Sequence, residues 1–316
     1  MFTEILCNLK AIGNRKSRKG KLRMERLRVG DTIGIVSPSH LADKEKYDQI
    51  EKAIKEEGFQ VRFADLFYAN GWTYAATPEE RAEAIHSLVR DDEVKLIFFG
   101  GGEGGDDVIP YLDYDLIEKH PKLWLSISDG TSILNAVHNK TGLNVFYGAA
   151  PSDFLYLTEY NRANFFGHMV EGDIKQHKKA KEWISIVPGV ADGILSGGYL
   201  ENYVYLANGG WVVPKEGEEY ILCLEEHEMF FQVDHVSDEI ARLENSPIMK
   251  QTKGILFGIY SEEPNELFLQ RLKVLGEKHN IPIAYCEDFG HANNHAILEI
   301  GAKVTLDTIK CELYYR

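Results

Sequence analysis

The stretch Ser126-Ile127-Ser128-Asp129-Gly130 puts a serine where chain geometry can turn it into a nucleophile. Apolar Leu123, Trp124, Leu125 and Ile127 lead into it, and Ile133, Leu134, Ala136 and Val137 follow at helical spacing. That pattern predicts a buried strand, a tight turn and a helix. A serine in such a turn projects its hydroxyl at the end of a sheet, beside the free N–H groups of a helix N-terminus. Ser126 and Gly130, both small, lie two positions either side of Ser128, as a nucleophile elbow requires, although the usual G-x-S-x-G here reads S-x-S-x-G. The competing reading is a helix cap made by Ser128 and Asp129, the commoner use of these residues when the local pattern is taken alone.

Three other groups could act with Ser128. Gly100-Gly-Gly-Glu-Gly-Gly105 follows an apolar run, and Gly100, Gly102 and Gly105 satisfy G-x-G-x-x-G. A dinucleotide site is opposed by Asp106 and Asp107, which put negative charge where a pyrophosphate would sit, and by Pro110, which limits any helix. Backbone N–H groups brought close to a reacting oxygen, or a plain tight turn, suit these glycines better. His291 follows Phe289-Gly290 in a loop between two predicted strands. With His295 it makes H-x-x-x-H, but Gly290, Asn293 and Asn294 disfavour the helix that would bring both onto one metal. Glu225 ends an apolar strand and could orient a histidine, with Glu226 and Glu228 as competitors.

The elements that must position these residues alternate. Thr32–Ser37, Gln60–Ala64, Val94–Phe99, Leu123–Ile127 and Asn144–Tyr147 read as strands. Between them, Ala42–Glu57 reads as an amphipathic helix, and Thr77-Pro-Glu-Glu80 as a capping box opening another. Alternation of this kind predicts a parallel sheet covered on both faces, with ligands beyond the carboxyl ends of the strands. Residues 151–195 read as a linker with one helical segment. A second unit follows from Gly197: helices over Leu200–Ala207, Val233–Glu244 and Asn265–His279, and strands over Tyr220–Leu224, Gly254–Tyr260, Pro282–Tyr285, Ala296–Ile300 and Lys303–Asp307.

The chain has 316 residues, 44% of them hydrophobic, and a formal net charge of −14. That allows one long domain or two ordinary ones, and argues against nonspecific nucleic-acid binding or an anionic membrane surface. Cys7, Cys223, Cys286 and Cys311 form no C-x-x-C and read as free thiols in a reducing cytoplasm. No run is long enough to span a bilayer. The basic stretch before Met24 lacks the apolar core of a secretory signal and reads as a disordered extension, or as the result of an upstream start.

Taken together and in order, these segments resemble the LD-carboxypeptidase family, serine peptidase family S66, which includes the microcin C self-immunity peptidases. The resemblance is carried by Leu27–Ser39; by Gly101–Gly104 with Pro110–Asp115; by Ser128-Asp129 with Thr141-Gly142 and Phe146-Tyr-Gly148; by Gly197–Leu200; and by Leu224-Glu225 and Phe289-Gly-His291. It implies an α/β fold, with a flavodoxin-like parallel-sheet domain (24–150) carrying the nucleophile. A β-rich swivelling C-terminal domain (196–316) would carry the acid and the histidine. It also implies Ser128 as nucleophile, His291 as general base, Glu225 as the orienting acid, and an oxyanion hole from the N–H of Asp129 with that of Gly101 or Gly102. No cofactor or metal is expected, and a homodimer is. The implied reaction is hydrolysis of a murein tetrapeptide to tripeptide and D-alanine through an acyl-enzyme. An alternative is cleavage of an amide in a toxic aminoacyl-nucleotide, where Trp183 could stack a base, although a buried or surface indole is the commoner role. A noncatalytic peptide- or nucleotide-binding protein on this scaffold is a further alternative. The sequence departs from the family pattern at Glu103-Gly104-Gly105, at Ala149 and at Glu299. Glu103 beside the reaction centre would repel a substrate carboxylate and could bind an amine.

Overall fold

The protein is described by a computed structural model over residues 24–71, 74 and 76–316. The basic stretch before Met24, with Cys7, lies outside the described residues. Five short runs form the parallel part of the first sheet: β1 (Thr32–Ile35), β2 (Gln60–Phe63), β3 (Val94–Phe98), β4 (Leu123–Ser126) and β5 (Val145–Tyr147). Their spatial order is 2-1-3-4-5, the flavodoxin-like order, in which the crevice opens where the order reverses, between β1 and β3.

Local chemistry sets the helices between these strands. In α1 (Lys44–Glu56) the Asp43 carboxylate accepts the N–H of Lys46, and Tyr47, Ile50 and Ile54 face the core. In α2 (Pro78–Arg90) the capping box forms as its sequence predicts: Thr77 accepts from the Glu80 N–H at 3.3 Å, and Glu80 accepts from the Thr77 N–H at 3.1 Å. Two short helices follow β3, α3 (Gly105–Val108) and α4 (Tyr114–Lys119). The helix after Ser128, α5 (Gly130–Thr141), is buried at every position from Gly130 to Val137, because the first sheet and the second unit enclose it from both sides.

Residues 151–195, read above as linker, hold more structure than their sequence suggests. They contain α6 (Glu159–Phe166), β6 (Ile184–Val187) and the first part of β7 (Val190–Tyr199). β7 is central to the second sheet, yet it ends in Ser-Gly-Gly-Tyr, which does not read as a strand. The glycines are required by close approach: a Cβ at Gly197 would lie 1.9 Å from the Cys223 carbonyl oxygen, and one at Gly198 would lie 2.4 Å from the Thr131 hydroxyl. Both also have positive φ.

The rest of the second unit comprises α7 (Leu200–Gly209), β8 (Tyr220–Glu225), α8 (Val233–Glu244), β9 (Thr252–Phe257), α9 (Glu266–His279), β10 (Ile283–Tyr285), β11 (Leu298–Ile300), β12 (Lys303–Asp307) and β13 (Glu312–Tyr315). The second sheet runs 13-12-7-8-9-10-6, parallel through β7–β10 and antiparallel at both edges. One strand departs from the sequence reading. β11 belongs not to this sheet but to the first, pairing antiparallel with β5 through Leu298–Tyr147 and Ile300–Val145. The loop carrying His291 therefore leaves one sheet and ends in the other. Among the described residues, no helix is long and apolar enough to cross a membrane.

Candidate active site

Ser128 stands in the turn between β4 and α5 with φ +59°, the left-handed region that a side-chain-bearing residue rarely occupies. The turn is tight enough that a Cβ on Gly130 would lie 2.0 Å from the Ser126 hydroxyl. The rival reading, a simple cap, does not describe this turn. Asp129 occupies the cap position of α5, but its side chain makes no capping bond. Instead it accepts the Gly105 N–H at 2.8 Å and the Asn202 amide at 3.1 Å. Burial pushes its carboxyl up, against the pull of these donors.

The same contact explains the glycine-rich motif. The N-terminus of α3, where a dinucleotide reading would seat a phosphate, is taken by the Asp129 carboxylate, and α3 is only four residues long. The turn is braced from behind by buried Arg81, which donates to the carbonyls of Gly104, at 2.9 Å, and of Pro38. Gly101 lies against Ser128: a Cβ there would be 2.4 Å from Ser128 Cβ and 2.9 Å from Oγ. Gly102 and Glu103 line the cavity in front of Ser128. Among the described residues, the N–H groups of Gly101, Gly102 and Asp129 donate to no backbone carbonyl.

His291 Nε2 lies 2.9 Å from Ser128 Oγ, and its Nδ1 lies 2.9 Å from Glu225 Oε2. Glu225 ends β8 and is fully buried. Burial of His291 lowers its proton affinity, but the charge and hydrogen bond of Glu225 outweigh this, and the imidazole pKa is raised above its ordinary value. Tyr199 and Phe230 meet the imidazole edge-on, at centroid distances of 5.2 and 5.0 Å. Of the competing acids, Glu226 turns to accept the N–H of His227, and burial pushes its carboxyl up to about 8. His295 faces away from His291's partners: its Nδ1 is 2.6 Å from Asp153 and its Nε2 is 2.7 Å from the Ala292 carbonyl.

Sequence reasoning missed Tyr147, Asn202 and Thr131. The Tyr147 hydroxyl is 2.5 Å from Glu225 Oε1 and accepts the Ser128 N–H at 3.0 Å. Asn202 bridges Asp129 and Ser132, and Thr131 accepts the Tyr199 N–H. Only the Phe146-Tyr147-Gly148 segment carried any signal, and it gave no partner. Trp183 is buried, with its N–H on Asp288 at 2.6 Å, far from a role in base stacking. Glu299, the departure near the C-terminus, accepts from Asn144 and lies 3.6 Å from Arg26. The cavity of about 980 Å³ in front of Ser128 reaches Asp106, Glu201, Tyr205, Glu239 and Arg242.

Residues 33–148 match the LD-carboxypeptidase N-terminal domain and residues 192–306 the C-terminal domain. The chain belongs to the LD-carboxypeptidase family, S66. A Bacillus subtilis protein named "Probable murein peptide carboxypeptidase" is 28% identical over 219 residues, 68% of each chain. The microcin C7 self-immunity protein MccF of Escherichia coli is 33% identical over 128 residues, 39% of this chain and 37% of that one. Its solved structure superposes with a TM-score of 0.82 at 21% identity, over 93% of this chain and 98% of that one, and it has also been solved in complex with aspartyl sulfamoyl adenosine. The muramoyltetrapeptide carboxypeptidase of Oxalobacter formigenes superposes with a TM-score of 0.75 at 23% identity, over 90% and 97%.

Proposed function

We propose that this family member hydrolyses an amide bond through an acyl-enzyme on Ser128. The observation that carries the reading is the unbroken chain Ser128 Oγ–His291–Glu225, with 2.9 Å at each link. His291 Nε2 takes the serine proton as Oγ attacks the carbonyl carbon. Glu225 holds Nδ1–H in place and stabilises the imidazolium. The oxyanion is met by the N–H of Asp129 and of the glycine turn, at Gly101 or Gly102. The imidazolium then gives its proton to the leaving amine, and water repeats the sequence to release the acid.

As substrate we propose a murein tetrapeptide, cleaved to tripeptide and D-alanine, with the protein acting as a cytoplasmic homodimer. The cavity wall supports an amine-bearing substrate: Glu103, Asp106 and Glu201 line it, while Arg242, the one cation of the lining among the described residues, is paired with Asp238 and Glu239. A carboxylate beside Glu103 would be repelled, so the terminal D-alanine carboxylate must lie away from it, whereas an ammonium would be drawn in. The aspartyl sulfamoyl adenosine bound by MccF favours a second reading, an aminoacyl-nucleotide amide, whose α-amine could meet the same wall.

The test is mass spectrometry of a tetrapeptide ending in D-alanine, incubated with the protein and with Ser128→Ala. Loss of alanine with the parent chain alone is the expected result. Equal activity in Ser128→Ala would refute the mechanism. No loss with either protein, together with cleavage of an aminoacyl sulfamoyl nucleoside, would move the substrate to the second class.

A further inference from the structure

The Tyr147 side chain is fully buried at the end of β5, between the two units. Its hydroxyl has two partners, and they belong to different parts of the site. It accepts the N–H of Ser128 at 3.0 Å, and it lies 2.5 Å from Glu225 Oε1. Glu225 can only accept while ionised, so the phenol must be the donor in that bond. The carboxylate is then held by two donors, Tyr147 O–H on one oxygen and His291 N–H on the other.

We propose that Tyr147 is a positioning residue of the hydrolysis, tying the strained Ser128 turn of the first sheet to Glu225 of the second so that His291 can bridge them. The inference rests on the triad reading above. Two effects follow from the one hydroxyl. It anchors the backbone of a residue held at positive φ, which would otherwise relax and carry Oγ away from His291. It also draws charge from Glu225, so that the carboxylate orients the imidazole without over-stabilising the imidazolium. The phenol stays protonated throughout: burial, and then the Glu225 charge, hold its pKa well above the ordinary value. No proton leaves Tyr147 in this scheme.

His291 faces Glu225, Glu226 and His227 at the end of β8, His295 from its own loop, and Tyr199 from β7. Of these groups, Glu225 is the one that bonds the Tyr147 hydroxyl and loses a donor when it is removed.

The experiment reads labelling of Ser128 by a fluorophosphonate, followed by intact-protein mass spectrometry against pH, with Ser128→Ala as the unlabelled control. Tyr147→Phe is expected to lower the labelling rate by about tenfold or more, since a small displacement of a nucleophile is costly. It is also expected to move the acid limb upward by about half a pH unit, because Glu225 keeps more charge facing His291. A second variant carries 2,3-difluorotyrosine at position 147, of nearly the same shape but a stronger donor, and should move the acid limb downward. This variant keeps the test open if Tyr147→Phe does not fold. A hydroxyl with a merely structural role would lower thermal stability and leave the pH profile where it was. If both variants keep the parent acid limb, the proposal is overturned. Labelling of Ser128→Ala at the parent rate would instead overturn the nucleophile assignment, and the positioning role with it.

Discussion

Gly101→Ala puts a methyl group where the proposed nucleophile stands. The backbone at Gly101 lies outside the left-handed region, so alanine meets no conformational penalty there. The obstacle is contact alone: the new Cβ would lie 2.4 Å from Ser128 Cβ, 2.9 Å from Oγ and 3.3 Å from the Ile127 carbonyl oxygen. Carbon atoms need about 3.4 Å or more, so one of the two turns must retreat by roughly 1 Å. Ser128 is pinned behind by its N–H bond to Tyr147 and in front by His291, so its retreat lengthens the Oγ–Nε2 distance from 2.9 Å, while retreat of the glycine turn draws its N–H groups away from Ser128. A misplacement of about 1 Å at a reacting atom costs on the order of 100-fold in rate. The expected result is therefore a fall in kcat of about two orders of magnitude in a protein that still unfolds cooperatively. Gly100→Ala is the control, since its Cβ would meet only His40 Cε1 at an ordinary 3.6 Å, and it should keep activity within a few-fold. Steady-state kinetics on the cleaved substrate, with circular dichroism to verify folding, decide the matter. Full activity in Gly101→Ala would mean that Ser128 is not held against this turn when it reacts, and the geometric argument would fail.

Three further expectations follow from the charges around His291 and behind its loop. His291 must be neutral to take the serine proton, and its pKa is raised, so kcat/KM should fall as pH drops through a value above the imidazole's ordinary ~6.5. In Glu225→Gln the raising charge is gone and burial dominates, so the limb should move to lower pH while kcat falls by about 10³–10⁴; a limb that stays in place would argue against His291 as the base. Asp288 is fully buried and accepts from His177, from Trp183 Nε1 and from the Ala180 N–H. Asp288→Ala strands these donors and should cost about 3 kcal/mol or more, read as a lower urea midpoint; an unchanged midpoint would refute the buried-acceptor account.

What the sequence revealed was mostly local. The capping box at Thr77 and Glu80 is legible because both partners lie within one helical turn. Ser128 is legible because a sharp strand-to-helix turn tolerates only small neighbours, and Ser126 and Gly130 supply them. That the first five strands share one parallel sheet is legible from their alternation with helices, whereas their spatial order is not. Tyr147 and Asn202 were hidden because their partners, Glu225 and Asp129, stand 78 and 73 positions away. The choice between Glu225 and Glu226 was hidden for a different reason. Adjacent residues at a strand end point to opposite faces, and no local pattern says which face meets the cleft. β7 was obscured because two of its positions are glycines chosen for the neighbours that approach them, not for strand propensity.

The site exists only where the two units meet. Ser128, Asp129 and Tyr147 come from the first sheet and its helix, while Glu225, Tyr199 and Asn202 come from the second. The bonds that cross between them include Tyr147 to Glu225, Thr131 to the Tyr199 N–H, Asn135 to the Gly197 carbonyl and Asn202 to Asp129. Each adds only about 1 kcal/mol net, so none by itself fixes the docking. Together they remove sliding freedom that apolar burial, being non-directional, leaves open. His291 is placed by neither unit alone. Its loop leaves β10 in the second sheet and ends in β11, paired with β5 in the first, and β5 carries Tyr147. A shift between the sheets would therefore move both ends of the histidine loop relative to each other, and would stretch the Tyr147–Glu225 bond at the same time. The antiparallel return of β11 thus makes His291, Glu225 and Ser128 report on one docking geometry.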